Sequence, residues 1–293
     1  MNIVREIKNE EVAILLTTYN PDVVLLASNI STYIQQCGRI YLVDNSPIPF
    51  DYSLLPDSIK IISLYENKGI AVAQNVGFSS ASKDGYEFFI EIDQDSKLSE
   101  NYIHNICCDY VEIVRNNGLI LGVGPVAISE EQGLDYYNYG NLKSPIPVKH
   151  TLSSGFFYSR QGAEKCGLKN EDLFIDLVDW EWCMRARTFS LSTFVSPNIE
   201  ILHSLGEGHK VVGPLNIGVP KPFRHYFQFR NTILLSKMKH IPLKWKLKNM
   251  LKIFVKFFFY PIILDDGIKR FRFMSKGIVD GFMNKARHLD NLL

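Results

Sequence analysis

Short apolar runs alternate with helical patterns along the first 130 residues of the chain. Four runs have the length and composition of buried strands: Val12 to Leu16, Ile40 to Val43, Ile59 to Leu64 and Glu87 to Ile92. Turn-forming residues follow each run, and helical spacing fills most of the intervals. The alternation predicts an α/β fold with a mostly parallel central sheet flanked by helices.

Three helices are predicted in these intervals. Pro21-Asp22 opens the first, with the proline at the first helical position, where its missing N–H costs nothing. The second runs from about Gly69 to Ser82. The third runs from about Asn101 to Asn116 and ends at Gly118, because glycine adopts the backbone conformation that closes a helix.

Polar residues collect where the predicted strands end. The four clusters are Thr17-Thr18-Tyr19-Asn20, Asp44-Asn45-Ser46, Glu66-Asn67-Lys68-Gly69 and Asp93-Gln94-Asp95. Open α/β sheets bind ligands in the crevice beyond the carboxyl ends of their strands. The clusters therefore predict one shared pocket.

The pair Asp93-x-Asp95 has the chemistry of a divalent-cation site. Two carboxylates at a strand end supply the oxygen ligands that Mg²⁺ or Mn²⁺ prefers, and they leave coordination positions open for phosphate oxygens. An aspartate pair in a turn is also common without a metal, because these side chains bond nearby backbone amides. Because Asp93 and Asp95 lie at the edge of the sheet where ligands bind, a metal site is favoured over a turn without a metal.

Two further clusters suit a nucleotide. Asn67-Lys68-Gly69 directs backbone amides and a helix N-terminus to the same crevice, with Gln74 inside that helix. Asp44 follows a strand and can accept a bond from a ribose hydroxyl or a base N–H. A plain helix start and a plain turn remain open as alternatives. The spacings of a dinucleotide fingerprint and of a P-loop do not occur here.

A second acidic segment surrounds a predicted helix that begins near Leu177. Asp176 and Asp179 lie three residues apart, so one can cap the helix while the other projects into the pocket. Both can also serve the helix alone. His203 ends a later strand and can be a metal ligand beside an acidic site or a structural histidine.

Composition restricts the class of protein. The chain has 293 residues, of which 46% are hydrophobic and 22% charged, and this excludes disordered and collagen-like proteins. Five cysteines without C-x-x-C spacing predict reduced thiols and a cytosolic setting. The first residues have no long apolar run, so no leader or anchor is expected there.

Charge is distributed unevenly despite a net charge of +1. The segment from Lys237 to Lys276 holds 11 of the 32 basic residues and two of the 31 acids, which leaves 21 bases and 29 acids elsewhere. We therefore predict a catalytic domain over 1–210 and a helical, basic, amphipathic region over 211–293 that associates with an anionic membrane. A helix packed on the catalytic domain with its lysines in water is the alternative.

The ordered set of motifs resembles the inverting family 2 glycosyltransferases of GT-A fold. It consists of Thr18-Tyr19-Asn20, Asp44-Asn45-Ser46, Asn67-x-Gly69, Asp93-x-Asp95 and Asp179-x-Glu181-Trp182, and it covers roughly residues 12 to 205. The segments 93–96, 176–185 and 203–206 look most like bacterial rhamnosyltransferases and their galactofuranosyltransferase relatives. The resemblance implies the GT-A nucleotide-diphospho-sugar transferase fold with a helical, basic C-terminal extension.

The resemblance also implies roles for individual residues. Asp179 is the general base, Asp95 and His203 bind the divalent cation, and Asp176, Trp180 and Glu181 lie on the acceptor side. The residues expected to bind the nucleotide sugar are Thr17, Thr18, Tyr19, Asn20, Asp44, Asn67, Gly69, Gln74 and Asp93.

The implied activity is transfer of L-rhamnose from dTDP-L-rhamnose to a lipid-linked saccharide during assembly of bacterial surface polysaccharide. A UDP-galactofuranose or other hexose donor, and a nucleotide-sugar or membrane-binding module without turnover, are the alternatives. A dinucleotide dehydrogenase is disfavoured by the missing glycine fingerprint. The expected location is the cytoplasmic face of the cell membrane, with no nucleic-acid partner. Arg230-Asn231 can approach the diphosphate or belong to an interfacial helix.

Overall fold

The computed structural model describes residues 5–129, 135, 142–203, 209–212 and 215–285, and the side chains of 129, 203, 209–212 and 215–217 are not part of that description. The chain forms two compact units. Unit 1 comprises Met1–Lys169 and Trp182–Ser204, and unit 2 comprises Asn170–Glu181 and Leu205–Leu293. The chain passes from unit 1 to unit 2 after Ser204, which lies near the predicted domain boundary at 210. Residues 170–181, in contrast, belong to unit 2 together with the C-terminal residues. The division into a catalytic and a membrane-associating domain stays a prediction.

Unit 1 is built on a sheet to which nine strands of the described chain contribute. The strands are β1 (Val12–Thr18), β2 (Arg39–Asp44), β3 (Lys60–Ser63), β4 (Phe88–Asp93), β5 (Lys97–Leu98), β6 (Gly122–Ser129), β7 (Ile146–Val148), β8 (Phe157–Ser159) and β9 (Thr193–His203). Their order is β3-β2-β1-β4-β8-β6-β9-β5, with β7 paired to β9. The predicted α/β class is confirmed.

The sheet is parallel in its first half and mixed in its second. The neighbours β3, β2, β1 and β4 are all parallel, as the repeated strand and helix pattern predicts. Strand β8 then inserts antiparallel between β4 and β6, and β9 pairs antiparallel with β5 and β7. The alternation of apolar runs did not predict this insertion, because the pairing of β8 depends on residues distant in sequence.

Both faces of the sheet are covered by helices. Side chains alternate across β1, so Ile14 and Leu16 pack with one apolar cluster while Ala13 and Leu15 pack with another. The first cluster includes residues of α1 (Val23–Ser31) and α3 (Tyr102–Asn117). The second includes residues of α2 (Ile70–Lys83), α4 (Arg160–Cys166) and the later turns of α5 (Val178–Ala186). A continuous apolar run is thus explained by burial on two sides.

The start of α1 differs from the sequence expectation. Asp22 is the N-cap, and its Oδ1 accepts bonds from the backbone amides of Val24 and Leu25, each 3.0 Å long. Pro21 therefore lies before the cap and not at the first helical position. A carboxylate satisfies two of the amides that a helix start leaves unpaired, and this chemistry determined the boundary.

Unit 2 is a helical assembly with a short hairpin. Its helices are α6 (Arg224–Lys237), α7 (Leu243–Ile263) and α8 (Gly267–Phe282), and β10 (His209–Val212) pairs antiparallel with β11 (Leu215–Gly218). Helices α6 and α8 come into close contact, because a side chain on Gly277 would lie 2.5 Å from the carbonyl oxygen of Tyr226. Within the described residues, none of the helices has the length and apolar character needed to cross a membrane.

Candidate functional site

The carboxyl ends of β1 and β2 are joined by hydrogen bonds between the first two polar clusters. Thr18 lies opposite Asp44 in the parallel register, and the Asn45 amide donates to the Thr18 carbonyl at 2.8 Å. The Asn20 amide donates to Ser46 Oγ at 2.8 Å, and Asn20 has a φ of 44°. The structure therefore brings these two predicted clusters together.

Asp44 is fully buried. Its Oδ1 accepts from the Ser46 amide at 3.0 Å, and its Oδ2 accepts from the Tyr52 hydroxyl at 2.7 Å. Burial raises the pKa of Tyr52 to about 12, and the neighbouring Asp44 carboxylate acts in the same direction. Asp44 thus shapes the turn after β2. Ser46 is buried as well, so a ligand would meet this part of the edge through the exposed Asn20.

The end of β1 passes from buried to exposed residues at this edge of the sheet, at Thr17, Thr18 and Tyr19. Thr17 is half-buried and lies opposite Asp93 in the register of β1 with β4. Thr18 is buried, and its Oγ1 makes no hydrogen bond to the residues that the structure describes. Tyr19 is exposed, and its amide donates to Gln94 Oε1 at 2.7 Å, which joins the first cluster to the Asp93-x-Asp95 turn.

The start of α2 is organised by an asparagine pair. Asn67 Oδ1 accepts from Asn45 Nδ2 at 3.0 Å and from the Gly69 amide at 3.2 Å. Asn45 Oδ1 in turn accepts from the Lys68 amide at 2.8 Å. Gly69 is the N-cap residue with a φ of 88°, a conformation that glycine adopts without steric cost. The first amides of α2 are thereby presented at the sheet edge, where a helix N-terminus favours an anion.

The Asp93-x-Asp95 turn is exposed at the end of β4. Asp93 is half-buried and Asp95 is exposed, so the turn is accessible from outside. The Asp93 amide donates to Ser154 Oγ at 3.1 Å, and the Ser96 amide donates back to the Asp93 carbonyl at 3.1 Å. Asn29 Nδ2 donates to the Gln94 carbonyl at 3.0 Å. Three hydrogen bonds therefore hold the backbone of the turn.

The backbone of His203 lies beside this turn. In the antiparallel pairing of β5 with β9, Lys97 is opposite Leu202, so one further step places His203 opposite Ser96 and next to Asp95. The side chain of His203 and the residues 204–208 lie outside the described part of the chain. By this register the backbones of Asp95 and His203 come close, and a shared metal-binding role for the two residues stays a prediction.

Among the side chains that the structure describes, no group of three His, Cys, Asp or Glu residues could hold a metal ion. Asp93 and Asp95 supply two carboxylates in one turn, and Ca²⁺- or Mg²⁺-type cations take further oxygens from phosphates or water. The chemistry of these donors fits a cation held jointly with a diphosphate. It does not resemble a closed site made by protein alone.

Gln74 lies in a buried polar network and not on the pocket surface. Its Nε2 donates to Ser153 Oγ at 2.7 Å, and its Oε1 accepts from Lys169 Nζ at 2.8 Å. Lys169 forms a buried ion pair with Glu91, and Ser153 also donates to Glu91. The sequence analysis missed Glu91, Lys169 and Ser153. A glutamate inside the apolar run Phe88-Phe89-Ile90-Glu91-Ile92 was the available signal.

The loop before α5 belongs to unit 2 and has an unusual backbone. Phe174, Asp176 and Leu177 all have positive φ, at 63°, 66° and 66°. Asn231 Nδ2 of α6 lies 2.8 Å from three carbonyl oxygens of this loop, those of Leu173, Ile175 and Asp176. A single buried amide group thus holds a conformation that non-glycine residues adopt only at a cost.

Asp176 does not cap α5 as expected. The Leu177 carbonyl accepts the first intrahelical bond, from the Glu181 amide at 2.9 Å, so Asp176 lies one residue before the cap. Its carboxylate pairs with the Arg224 guanidinium, with Nη2 2.5 Å from Oδ1 and Nε 3.3 Å from Oδ2. A charged two-point partner is stronger than a backbone amide, and this explains the difference.

The first turn of α5 carries the remaining acceptor-side candidates. Asp179 is half-buried, and its Oδ1 accepts from the Trp180 amide at 2.9 Å. The ring of Trp180 packs edge-on against Trp245, with centroids 6.3 Å apart. Glu181 is buried, and its Oε1 lies 2.8 Å from His240 Nε2. Asp179 and Trp180 therefore have accessible surface, whereas Glu181 is enclosed.

Arg230 is fully buried beside the acidic loop. Its Nη2 donates to the Asp172 carbonyl, its Nε donates to Asn231 Oδ1 at 3.0 Å, and its guanidinium lies over the rings of Tyr226 and Phe227. Burial lowers the pKa of Arg230. Arg230 and Asn231 thus act on the loop backbone of unit 2, which favours the structural interpretation over contact with a diphosphate.

Comparison with known proteins gives two informative matches. No family model matches the chain. The dTDP-rhamnosyl transferase RfbF of Shigella flexneri is 30% identical over 258 residues, which cover 83% of this chain and 85% of that protein. The crystal structure of GalNAc-T7 with UDP, GalNAc and Mn²⁺ matches 86% of this chain with a TM-score of 0.53. This chain spans 57% of the length of that structure, and the sequence identity of 12% makes the likeness one of fold.

Proposed function

Because the chain belongs to the family of glycosyltransferases that includes the dTDP-rhamnosyl transferase RfbF, we propose that it transfers L-rhamnose from dTDP-L-rhamnose to a saccharide acceptor with inversion of configuration. The chain has the GT-A fold and is a hexosyltransferase. The observation that carries the donor assignment is the match to that relative over most of both chains.

The donor side of the reaction is assigned to the carboxyl edge of unit 1. The N-terminus of α2 favours an anionic nucleotide, and the turns around Asn20 and Asn67 beside it are held by bonds within the chain before any ligand binds. Donors that are already oriented stabilise charge without reorganisation. This supports a diphosphate of a nucleotide sugar as the ligand.

A divalent cation, Mg²⁺ or Mn²⁺, is proposed as cofactor. Asp95 and His203 would hold it together with Asp93, and when bound it would neutralise charge on the diphosphate leaving group. Accessible Asp93 and Asp95 in one turn support the assignment. The Mn²⁺ and UDP in the GalNAc-T7 structure are properties of that protein and agree with this choice.

Asp179 is proposed as the general base. Its carboxylate would accept the proton of the acceptor hydroxyl while the oxygen attacks the anomeric carbon and the bond to the diphosphate breaks, so that one displacement inverts the centre. Its half-buried place in the first turn of α5 and the resemblance of Asp179-x-Glu181-Trp182 support this role. Trp180 is proposed to contact the acceptor sugar.

The acceptor is proposed to be a lipid-linked saccharide at the cytoplasmic face of the membrane. Helix α7 has an exposed apolar row, Leu243, Leu247 and Leu251, that continues to Phe254 and Phe258. The exposed lysines Lys244, Lys248 and Lys252 form the adjacent row. A helix with this pattern lies in the headgroup plane of an anionic bilayer.

The donor assignment is tested by binding and transfer with a panel of nucleotide sugars. We expect dTDP-L-rhamnose with Mg²⁺ or Mn²⁺ to raise the melting temperature and to support transfer, whereas UDP-galactofuranose and GDP sugars do neither. Transfer from UDP-galactofuranose but not from dTDP-L-rhamnose would overturn the donor assignment and leave the reaction class intact. Binding of a nucleotide sugar without hydrolysis or transfer to any saccharide would favour a binding module.

A further inference from the structure

Unit 1 contains a closed ring of buried polar side chains that the proposed reaction does not use. The ring connects Gln74 of α2, Glu91 of β4, Ser153 and Lys169. Gln74 Nε2 donates to Ser153 Oγ at 2.7 Å, Ser153 Oγ donates to Glu91 Oε2 at 2.7 Å, and Lys169 Nζ donates to Gln74 Oε1 at 2.8 Å and to Glu91. Each member therefore bonds to two others.

The ring is deeply buried and closed on its other sides. The side chains of Glu91 and Lys169 are 1% and 3% exposed. Tyr158 donates to Glu91 Oε1 at 3.1 Å, and Lys169 Nζ lies 5.0 Å from the centre of the Trp182 ring. Desolvating two charges carries a large free-energy cost, and proteins with apolar residues in place of a buried ion pair are often equally stable. Stability alone is therefore a weak reason for this arrangement.

The ring lies directly below the Asp93-x-Asp95 turn. Glu91 and Asp93 are two residues apart on β4, so both side chains project from the same face of the strand. The segment after Ser153 runs beside β4, because the Gly155 amide donates to the Glu91 carbonyl at 2.7 Å and the Glu91 amide donates to the Phe156 carbonyl at 3.1 Å. Ring and turn thus share two adjacent stretches of backbone.

Ser154 connects the ring to the turn. It follows Ser153 directly, its Oγ accepts from the Asp93 amide at 3.1 Å, and it lies 2.8 Å from Ser96 Oγ. The adjacent Gly155 has a φ of 80°, and a side chain there would lie 2.4 Å from the hydroxyl of Tyr102. The segment Ser153 to Gly155 therefore has little freedom to shift independently of either neighbour.

We propose that Glu91 and Lys169 are positioning residues, which act through Ser153 and Ser154 to hold the Asp93-x-Asp95 turn in the geometry that receives the nucleoside diphosphate of the donor. The inference rests on the proposed function for the identity of the ligand. The structural part, that the ring holds the turn, applies to the protein without ligand.

The decisive variant is the charge-balanced double substitution Glu91→Gln with Lys169→Met, which breaks the ring without leaving an unpaired buried charge. Ser153→Ala removes only the bridging hydroxyl. Asp109→Asn is the matched control, because Asp109 also accepts a bond from a buried serine, Ser196, elsewhere in unit 1. Each is compared by melting temperature, by amide hydrogen exchange of 91–98 and 152–157 in the unliganded protein, and by affinity for dTDP with Mg²⁺.

We expect the double variant to keep a melting temperature close to that of the native protein. Exchange in both segments should become at least tenfold faster, dTDP affinity should fall at least tenfold, and KM for the donor should rise while KM for the acceptor stays unchanged. Asp109→Asn should change neither exchange in these segments nor dTDP affinity. Native exchange rates and native dTDP affinity in a folded double variant would overturn the proposal.

The other possible results also support or overturn the proposal. If the double variant does not fold, Ser153→Ala replaces it: faster exchange at an unchanged melting temperature supports the proposal, and unchanged exchange overturns it. If the native protein binds no nucleoside diphosphate, the proposed function fails, while the exchange measurement still tests whether the ring holds the turn.

Discussion

Two aspartates three residues apart have different surroundings. Asp176 is mostly buried and paired with Arg224, whereas Asp179 occupies the first turn of α5 and accepts a bond from the neighbouring amide of Trp180. Arg230 and Asn231, on the same helix as Arg224, bond to the backbone carbonyl oxygens of Asp172 and Asp176. At the scale of residues, the carboxylate of Asp176 is part of the scaffold, and the carboxylate of Asp179 is the proposed general base.

The substitution Asp179→Asn separates these roles. An asparagine retains an oxygen that can accept the Trp180 amide but does not take up the acceptor proton, so turnover should fall by about 10²–10⁴. Dissociation constants for dTDP and the melting temperature should remain nearly native. Asp176→Asn is the comparison variant and should lower the free energy of unfolding by about 1 kcal/mol, a figure reduced because Arg224 is partly exposed. Normal turnover in Asp179→Asn with an inactive, folded Asp176→Asn would exchange the two roles.

At the scale of elements, three helices of unit 2 enclose a neutral histidine. His225 of α6 is fully buried, and its Nε2 lies 2.7 Å from Arg270 Nη1 of α8. Its pKa is lowered to about 3, first by burial and then by the positive charges of Arg270, of Lys256 on α7 and of Arg224 on α6. Helices α6, α7 and α8 therefore pack around an imidazole that is uncharged at neutral pH.

This packing predicts a pH dependence of stability. The unfolded chain binds a proton at His225 near its ordinary pKa of 6.5, whereas the folded chain does so only near 3. Above about pH 6.5, protonation of His225 does not affect the free energy of unfolding. As the pH falls from 6.5 towards 3, the free energy of unfolding decreases by up to about 1.4 kcal/mol per pH unit. Urea unfolding of His225→Gln should show a shallower dependence in this range. The exposed His104→Gln is the control, and identical slopes in all three proteins would contradict the prediction.

Helix α7 contributes to the core and to the surface of unit 2. Ile253 and Tyr260 are buried with Phe229 and Met274, so removal of the chain after residue 241 would take away part of the core. Membrane association is therefore better tested by changing exposed residues. Leu247, Leu251 and Phe254 are 65%, 64% and 62% exposed, so replacement by serine should leave packing intact.

Combined replacement of these three residues by serine should reduce partition onto anionic vesicles at least tenfold, because each buried methylene contributes about 0.8 kcal/mol. Cosedimentation with vesicles containing phosphatidylserine measures the change. Leu54→Ser, at a 58% exposed position of unit 1, should have no effect. Undiminished binding of the triple variant would favour the alternative of a surface helix with no membrane role.

At the scale of the whole molecule, the proposed reaction depends on a cation that the described side chains do not hold as a group of three. Asp93 and Asp95 share one turn, and the diphosphate would supply further oxygens. Metal and donor should consequently bind together. Activity should be lost after exhaustive EDTA treatment and return with Mg²⁺ or Mn²⁺, and full transfer activity without a divalent cation would reject metal dependence.

The sequence alone determined those features that depend on neighbouring residues. The continuous apolar run from Val12 to Leu16 predicted a buried strand, and polar residues after β1, β2 and β4 predicted the ligand edge, because strand length and turn chemistry are local properties. The end of α3 at Gly118 is a further confirmed case.

Only the tertiary structure decided which polar residues are enclosed and which are accessible. Gln74 bonds to Lys169, 95 residues away, and Asn231 bonds to carbonyl oxygens 55 to 58 residues away. The carboxylate of Asp44 accepts a hydrogen bond from Tyr52. Strand β8 lies antiparallel between β4 and β6. A buried polar group must find a partner wherever the fold places one, and the partner's identity is not encoded in the residues beside it.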